Sequence, residues 1–149
     1  GNRLIIGYIL FNKTMYSKIS ELRTTTMSKS GEWYMVISCQ DNTYKLETHH
    51  VANGEDNIKD TSKFSASRIS LNYYNGDSST GYDLRNNSLK IQFNKNDGSC
   101  KSVTINDTEK FITENLDAPQ FGKIVASVSR NNTYESKLWY KTGRVTTQN

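Results

Sequence analysis

Residues 4–22 read LIIGYILFNKTMYSKISEL, a stretch whose period sets the expected fold class. Leu4, Tyr8, Phe11, Met15, Ile19 and Leu22 recur at steps of 4, 3, 4, 4 and 3, one face of a 3.6-residue repeat. Asn12, Lys13, Ser17, Ser20 and Glu21 fill the opposite side. The spacing predicts a helix that stops at Ser30-Gly31, where glycine can take the left-handed conformation after the last turn. Lys29 near that end suits the helix dipole. From Leu4 to Lys29 such a helix would be about 39 Å long. Thr24, Thr25 and Thr26 weaken its final turns, because β-branched side chains crowd a helix.

Beyond Gly31 the period changes from 3.6 to 2. Trp33-Tyr34-Met35-Val36-Ile37-Ser38-Cys39 is an apolar run of strand length, and Tyr44-Lys45-Leu46-Glu47-Thr48 alternates after a polar turn, so the pair reads as a hairpin. Residues 49–67 read as irregular, with Asn53-Gly54 a turn signal. Leu89-Lys90-Ile91-Gln92-Phe93 alternates most cleanly, and Asn96-Asp97-Gly98 turns it into Cys100 to Ile105. Two more strands follow, Lys123 to Ser129 and Lys137 to Tyr140. The expected class is α+β: a long N-terminal amphipathic helix (residues 1–30) packed on an antiparallel β domain (residues 31–149).

Composition agrees with a polar, strand-rich chain. Leu, Ile, Val and Phe number 31 of 149 residues, close to where disorder begins to be expected, but sixteen aromatics favour a folded state. The net charge of +4 divides unevenly: +4 over residues 1–31, −4 over 32–119 and +4 over 120–149. Basic ends around an acidic middle suit either a polyanion contact or complementarity between copies of the chain.

Chemistry-bearing residues are few. His49 and His50 are adjacent, so in extended backbone they point to opposite faces and do not converge on a metal. No nucleophile elbow, phosphate-binding loop or metalloprotease motif occurs. Near-neighbour acids such as Asp107 and Glu109 lack the apolar setting that would raise one pKa. No catalytic residue, metal ligand or cofactor is expected, and no small-molecule substrate. Cys39 and Cys100 permit one disulfide; it would close a loop of about 60 residues, contribute about 4 kcal/mol, and place the chain outside the cytosol. Arg130, Lys137, Lys141 and Arg144, interleaved with Trp139 and Tyr140, form a candidate polyanion contact. The apolar run Leu4 to Phe11 is far short of the roughly 20 residues that cross a bilayer. It nevertheless continues to the first residues without a dominant polar side, as a helix would that extends into lipid or into other copies of itself.

This layout resembles the type IV pilin and type II secretion pseudopilin superfamily, in particular its FimT/GspH-like minor members. The resemblance rests on Ser20-Glu21-Leu22-Arg23, Ser30-Gly31, Trp33 to Cys39 and Tyr44-Lys45-Leu46-Glu47, and on the closing Lys137-Leu138-Trp139-Tyr140-Lys141-Thr142-Gly143-Arg144-Val145. It implies a helix-first β domain acting as a structural subunit of an envelope or extracellular filament. Its partners would be other pilin subunits and the assembly machinery, with membrane anchoring before assembly through an N-terminal segment this chain lacks. Tyr8, Phe11, Met15, Ile19 and Leu22 would divide between holding the β domain and meeting other subunits. Lys13 and Lys18 would meet the acidic middle of a neighbour. Some members bind DNA through a second cation after the Gly-Arg pair; here Val145 and Thr146 follow Gly143-Arg144. The alternative expectation is a secreted or surface-attached binding domain, using Tyr-rich loops around residues 72–84 on a glycan or protein.

Overall fold

A computed structural model describes residues 2–129 and 132–148, with side chains described from Phe11 onward except at positions 129 and 148. The helical repeat becomes α1 (Asn2–Ser28). Its close is stabilised from within: Thr24, Thr26 and Ser28 each donate a hydroxyl to the carbonyl four residues back, at 3.1, 2.7 and 2.8 Å. Gly31 then turns the chain at φ +86°, where an added Cβ would fall 2.3 Å from His50 Nε2.

Among the described residues eleven strands follow, in two sheets. The first contains β1 (Glu32–Gln40), β2 (Thr43–Ala52), β3 (Glu55–Ser65), β6 (Leu89–Phe93), β7 (Cys100–Ile105) and β8 (Glu109–Lys110). The second contains β4 (Ser70–Asn75), β5 (Tyr82–Asp83), β9 (Phe121–Ser129), β10 (Asn132–Trp139) and β11 (Val145–Gln148). Their spatial orders are β3-β2-β1-β6-β7-β8 and β11-β10-β9-β4-β5. All pairings are antiparallel.

Period-2 alternation sets the inner faces. Met35 and Ile37, Tyr44 and Leu46, and Leu89, Ile91 and Phe93 point inward from the first sheet. Leu71 and Tyr73, Ile124 and Ala126, and Leu138 point inward from the second, and all belong to one core. The sheets are joined directly where the Leu71 amide donates to Tyr44 Oη (3.1 Å) and the Cys100 amide to the Tyr140 carbonyl (2.8 Å). The helix enters the same core through Phe11, Met15, Ile19 and Leu22, each at most 1% exposed. It meets β1 and β6 of one sheet and β9, β10 and β11 of the other.

The expected class is corrected here. The fold is mostly antiparallel sheet, with about half of its residues in strands. It is not an α+β arrangement of a long helix laid on a single sheet domain. The helix stretch from Phe11 on is one contributor to a core that two sheets already share. Residues 49–67, read as irregular, are also corrected: they form the end of β2 and the whole of β3, joined at Asn53-Gly54 with φ of +55° and +78°. Alternation could not reveal β3, because its residues are exposed or half-buried on both sides.

The β6–β7 and β10–β11 turns touch. Gly143 sits at φ +74°, and a Cβ there would lie 1.8 Å from the Gly98 carbonyl oxygen. Gly54 has a similar φ of +78° but open space around it. Gly143→Ala should therefore cost about 2–5 kcal/mol, from the left-handed backbone and the overlap together. Gly54→Ala should cost about 1–2 kcal/mol from the backbone alone. Urea unfolding of the two variants checks the difference; equal losses would mean that the turn contact contributes nothing.

Candidate functional site

Two surfaces carry the residues singled out by sequence: the helix and the outer face of the second sheet. On the helix, Phe11, Met15, Ile19 and Leu22 face inward and hold the β body, while Tyr8 lies outside the residues whose side chains are described. Lys13 is exposed. Lys18 is engaged within its own chain, 2.9 Å from Asp60 on β3 and 3.8 Å from Glu21. Its pKa is raised, chiefly by the hydrogen bond to Asp60. Reversing Lys18 would therefore disturb this molecule's helix–hairpin contact, which leaves Lys13 as the cleaner probe of an intermolecular one. Tyr16 and Met27, at 45% and 41% exposure, give the outward side of the helix an apolar component.

Cys39 and Cys100 are both unpaired, and strand register explains why. Cys100 pairs across from Phe93, and the β1–β6 register runs Met35↔Ile91 and Ile37↔Leu89, which puts Trp33 level with Phe93. Cys39 is six residues further along β1, about 20 Å from that level at 3.3 Å per residue. A disulfide needs Cα atoms within about 7 Å. The pairing is withdrawn, and it no longer supplies an argument about compartment. Burial pushes the Cys100 thiol up to about 12.

The basic C-terminal region divides. Arg130 lies outside the described residues, and Lys141 and Arg144 are exposed on the turn between β10 and β11. Lys137 and Trp139 share the outer face of β10, whereas Tyr140 is buried against Tyr73, hydroxyl to hydroxyl, and donates to Asn75 Oδ1 at 2.8 Å. Burial raises both phenols above their ordinary range. Sequence reasoning missed what the register adds. Lys123 lies directly opposite Lys137, Phe121 opposite Trp139, and Tyr74 opposite Lys123. The signal that points to them is alternation, Phe121-Gly122-Lys123 against Lys137-Leu138-Trp139, combined with a pairing that only the fold supplies.

This face is organised. The Phe121 and Trp139 rings lie 5.0 Å apart, and Lys137 Nζ sits 4.8 and 5.8 Å from their centroids. Trp139 Nε1 donates to Thr146 Oγ1 (2.9 Å), which fixes the indole. Lys123 lies 5.8 Å from the Tyr74 ring and 3.5 Å from Asp77. Two lysines opposed on one face repel each other, which a sheet normally avoids; the aromatic faces offset part of that cost. The tyrosines expected in loops are not there: Tyr73, Tyr74 and Tyr82 lie on β4 and β5, and residues 76–81 between the strands contain none.

The histidines serve the first sheet. His50 stacks on Trp33 at 4.1 Å and bonds the Ser30 carbonyl through Nε2 at 3.0 Å, bracing the exit from the helix. His49 stacks on Tyr34 and meets Asp56 at 2.9 Å; Tyr34 also donates to Asp56. Asp56 is held below the usual carboxylate range by the Tyr34 hydrogen bond, then by His49, and burial pushes Tyr34 up to about 12. Among the described residues no group of acids, histidines and cysteines is arranged to hold a metal. No helix among them is long and apolar enough to cross a membrane.

Comparison with known proteins returns no matching family model, no similar curated protein and no similar solved structure.

The cysteine geometry makes a direct prediction. Iodoacetamide at pH 8 should alkylate half-buried Cys39 in the native protein and leave Cys100 unmodified until urea unfolds the chain. Mass spectrometry of the reduced and unreduced protein should show no two-dalton difference. Equal labelling rates, or such a difference, would contradict the assigned state of the two thiols.

Proposed function

We propose that this chain is a structural subunit, a minor pilin or pseudopilin, of a type IV pilus or type II secretion-like filament of the cell envelope. What supports the proposal is the sequence spacing of apolar residues along α1, taken together with the seating of the part from Phe11 onward. At about 100° per residue, Phe11, Leu22, Met15, Thr26 and Ile19 fall within an arc of about 80°, and this arc seats the helix on the sheets. Leu4 and Tyr8 continue that arc. By sequence spacing alone, Ile5, Ile9, Ile6 and Leu10 would fall at about 120° to 260° from Phe11, outside the seating arc. Tyr16 and Met27, both exposed, fall on the Ile5–Ile9 side. A stripe of about 100° is enough to dock a helix on one body, and a helix apolar around most of its circumference calls for cover from lipid or from other helices. In this reading lipid covers residues 4–10 before assembly, and the helices of neighbouring subunits cover them afterwards.

The second reading, a surface binding domain for a glycan or protein, draws on the aromatic and lysine face of the second sheet. Specific retention by the isolated monomer on a glycan array favours it.

Ile5→Asp with Ile9→Asp tests the first reading. Vesicle flotation and sedimentation of the full chain should both weaken at least tenfold, since an aspartate in an apolar helix costs about 2.5–3.5 kcal/mol. Urea stability should hold, because by helical spacing Ile5 and Ile9 lie outside the arc that seats the helix. Unchanged flotation and sedimentation would sink the reading.

A further inference from the structure

The outer face of the second sheet has an unusual counterpart elsewhere on the same chain. Between β8 and β9, residues 111–120 form a loop whose apex is Leu116, 94% exposed, the most exposed of the large apolar side chains described. Glu114 and Asp117 flank it and are themselves exposed. The apex is held in one shape: the Ala118 amide donates to the Asn115 carbonyl (3.1 Å), the Asp117 amide to Asn115 Oδ1 (3.0 Å) and the Asn115 amide to Thr113 Oγ1 (3.3 Å). Neither Glu114 nor Asp117 has an ion-pair partner among the described residues. The loop thus presents an apolar tip between two unpaired negative charges.

The sheet face presents the inverse. Lys123 and Lys137 stand opposite each other, bordered by the rings of Phe121, Trp139 and Tyr74. Asp77, 84% exposed along its side chain, already reaches Lys123 at 3.5 Å, so the face accepts a carboxylate from a loop. Lys137 has aromatic neighbours and no carboxylate within ion-pair distance among the described residues.

We propose that the loop carrying Glu114, Leu116 and Asp117 docks on the Lys123–Lys137 face of a second copy of this chain, Leu116 against the Phe121 and Trp139 rings, one acid on Lys137 and the other joining Asp77 at Lys123. The pairing is heterologous, using two different patches. It therefore repeats from copy to copy, and where the rotation does not close it generates a filament. The segregation of charge along the chain has the same sense: the loop belongs to the acidic middle and both lysines of the face to the basic stretch 120–149. This inference rests on the assembly reading above, and assigns the contact that the β bodies make while the helices make theirs.

Charge exchange tests it on the full chain. By sedimentation equilibrium at low salt, Lys123→Glu with Lys137→Glu should weaken self-association at least tenfold, and so should Glu114→Lys with Asp117→Lys. Leu116→Ala should weaken it without any change of charge, and as a surface substitution it should leave the unfolding curve in place. Mixing the two charge variants should restore association into chains in which the two alternate, because the acidic loop of the first fits the lysine face of the second and the lysine-bearing loop of the second fits the glutamate-bearing face of the first. The same pairing should persist when both carry Ile5→Asp and Ile9→Asp, which separates this contact from the helix-mediated one. Charge variants that associate like the parent chain, or that fail to pair on mixing, would overturn the proposal. So would retention of the lysine face on an anionic polysaccharide column by a chain that does not self-associate, which would assign the face to that ligand.

Discussion

Arg23 joins parts of the chain that the sequence keeps far apart. From the last turns of the helix its guanidinium donates to the Gly98 carbonyl at 2.9 Å and to the Thr142 carbonyl at 3.1 Å. The first lies on the turn between β6 and β7, the second on the turn between β10 and β11, so one side chain ties the helix to both sheets. The contact is possible because Gly98 and Gly143 bring the two turns together with no room for a side chain between them. The apolar seat of Phe11, Met15, Ile19 and Leu22 depends on the same closure. A charge-assisted hydrogen bond is among the stronger polar contacts a protein makes, and here it falls where directionality is most needed.

Closing the core in this way fixes what is left outside. Once Tyr73, Ile124, Ala126 and Leu138 turn inward, the alternate residues Tyr74, Lys123, Lys137 and Trp139 must share the outer face. An aromatic and cationic surface is thus the other side of the pleat that builds the core. On the helix the equivalent consequence concerns Lys18. Its bridge to Asp60 draws the β2–β3 hairpin against the helix and removes Lys18 from the set of free charges.

Legibility followed the physics of each element. The helix could be read because one face of it is buried from Phe11 to Thr26, and Leu89 to Phe93 because one face of β6 is buried and the other is not. β3 escaped because neither of its faces is fully covered, so no hydrophobic alternation is imposed on Glu55 to Ser65. The two cysteines looked like a pair by count, yet a strand displaces residues by more than 3 Å each, and six residues of offset cannot be bridged. Lys137 and Trp139 were legible as chemistry, but Lys123, Phe121 and Tyr74, which complete their surroundings, were not. No local pattern announces which strand lies beside which.

The sequence by itself determined the helix and its buried stripe, the turn at Gly31, the strands with one covered face and the segregation of charge into basic ends and an acidic middle. These are local or additive properties, set by periodicity, glycine's backbone freedom and simple summation. Only the tertiary structure decided that the strands form two sheets, that Gly98 and Gly143 meet, that Cys39 and Cys100 stay apart, and that Lys123 faces Lys137 on one surface while Leu116 stands on another. Each of those depends on register and crossover between segments tens of residues apart, and such pairings are selected by how the whole core closes.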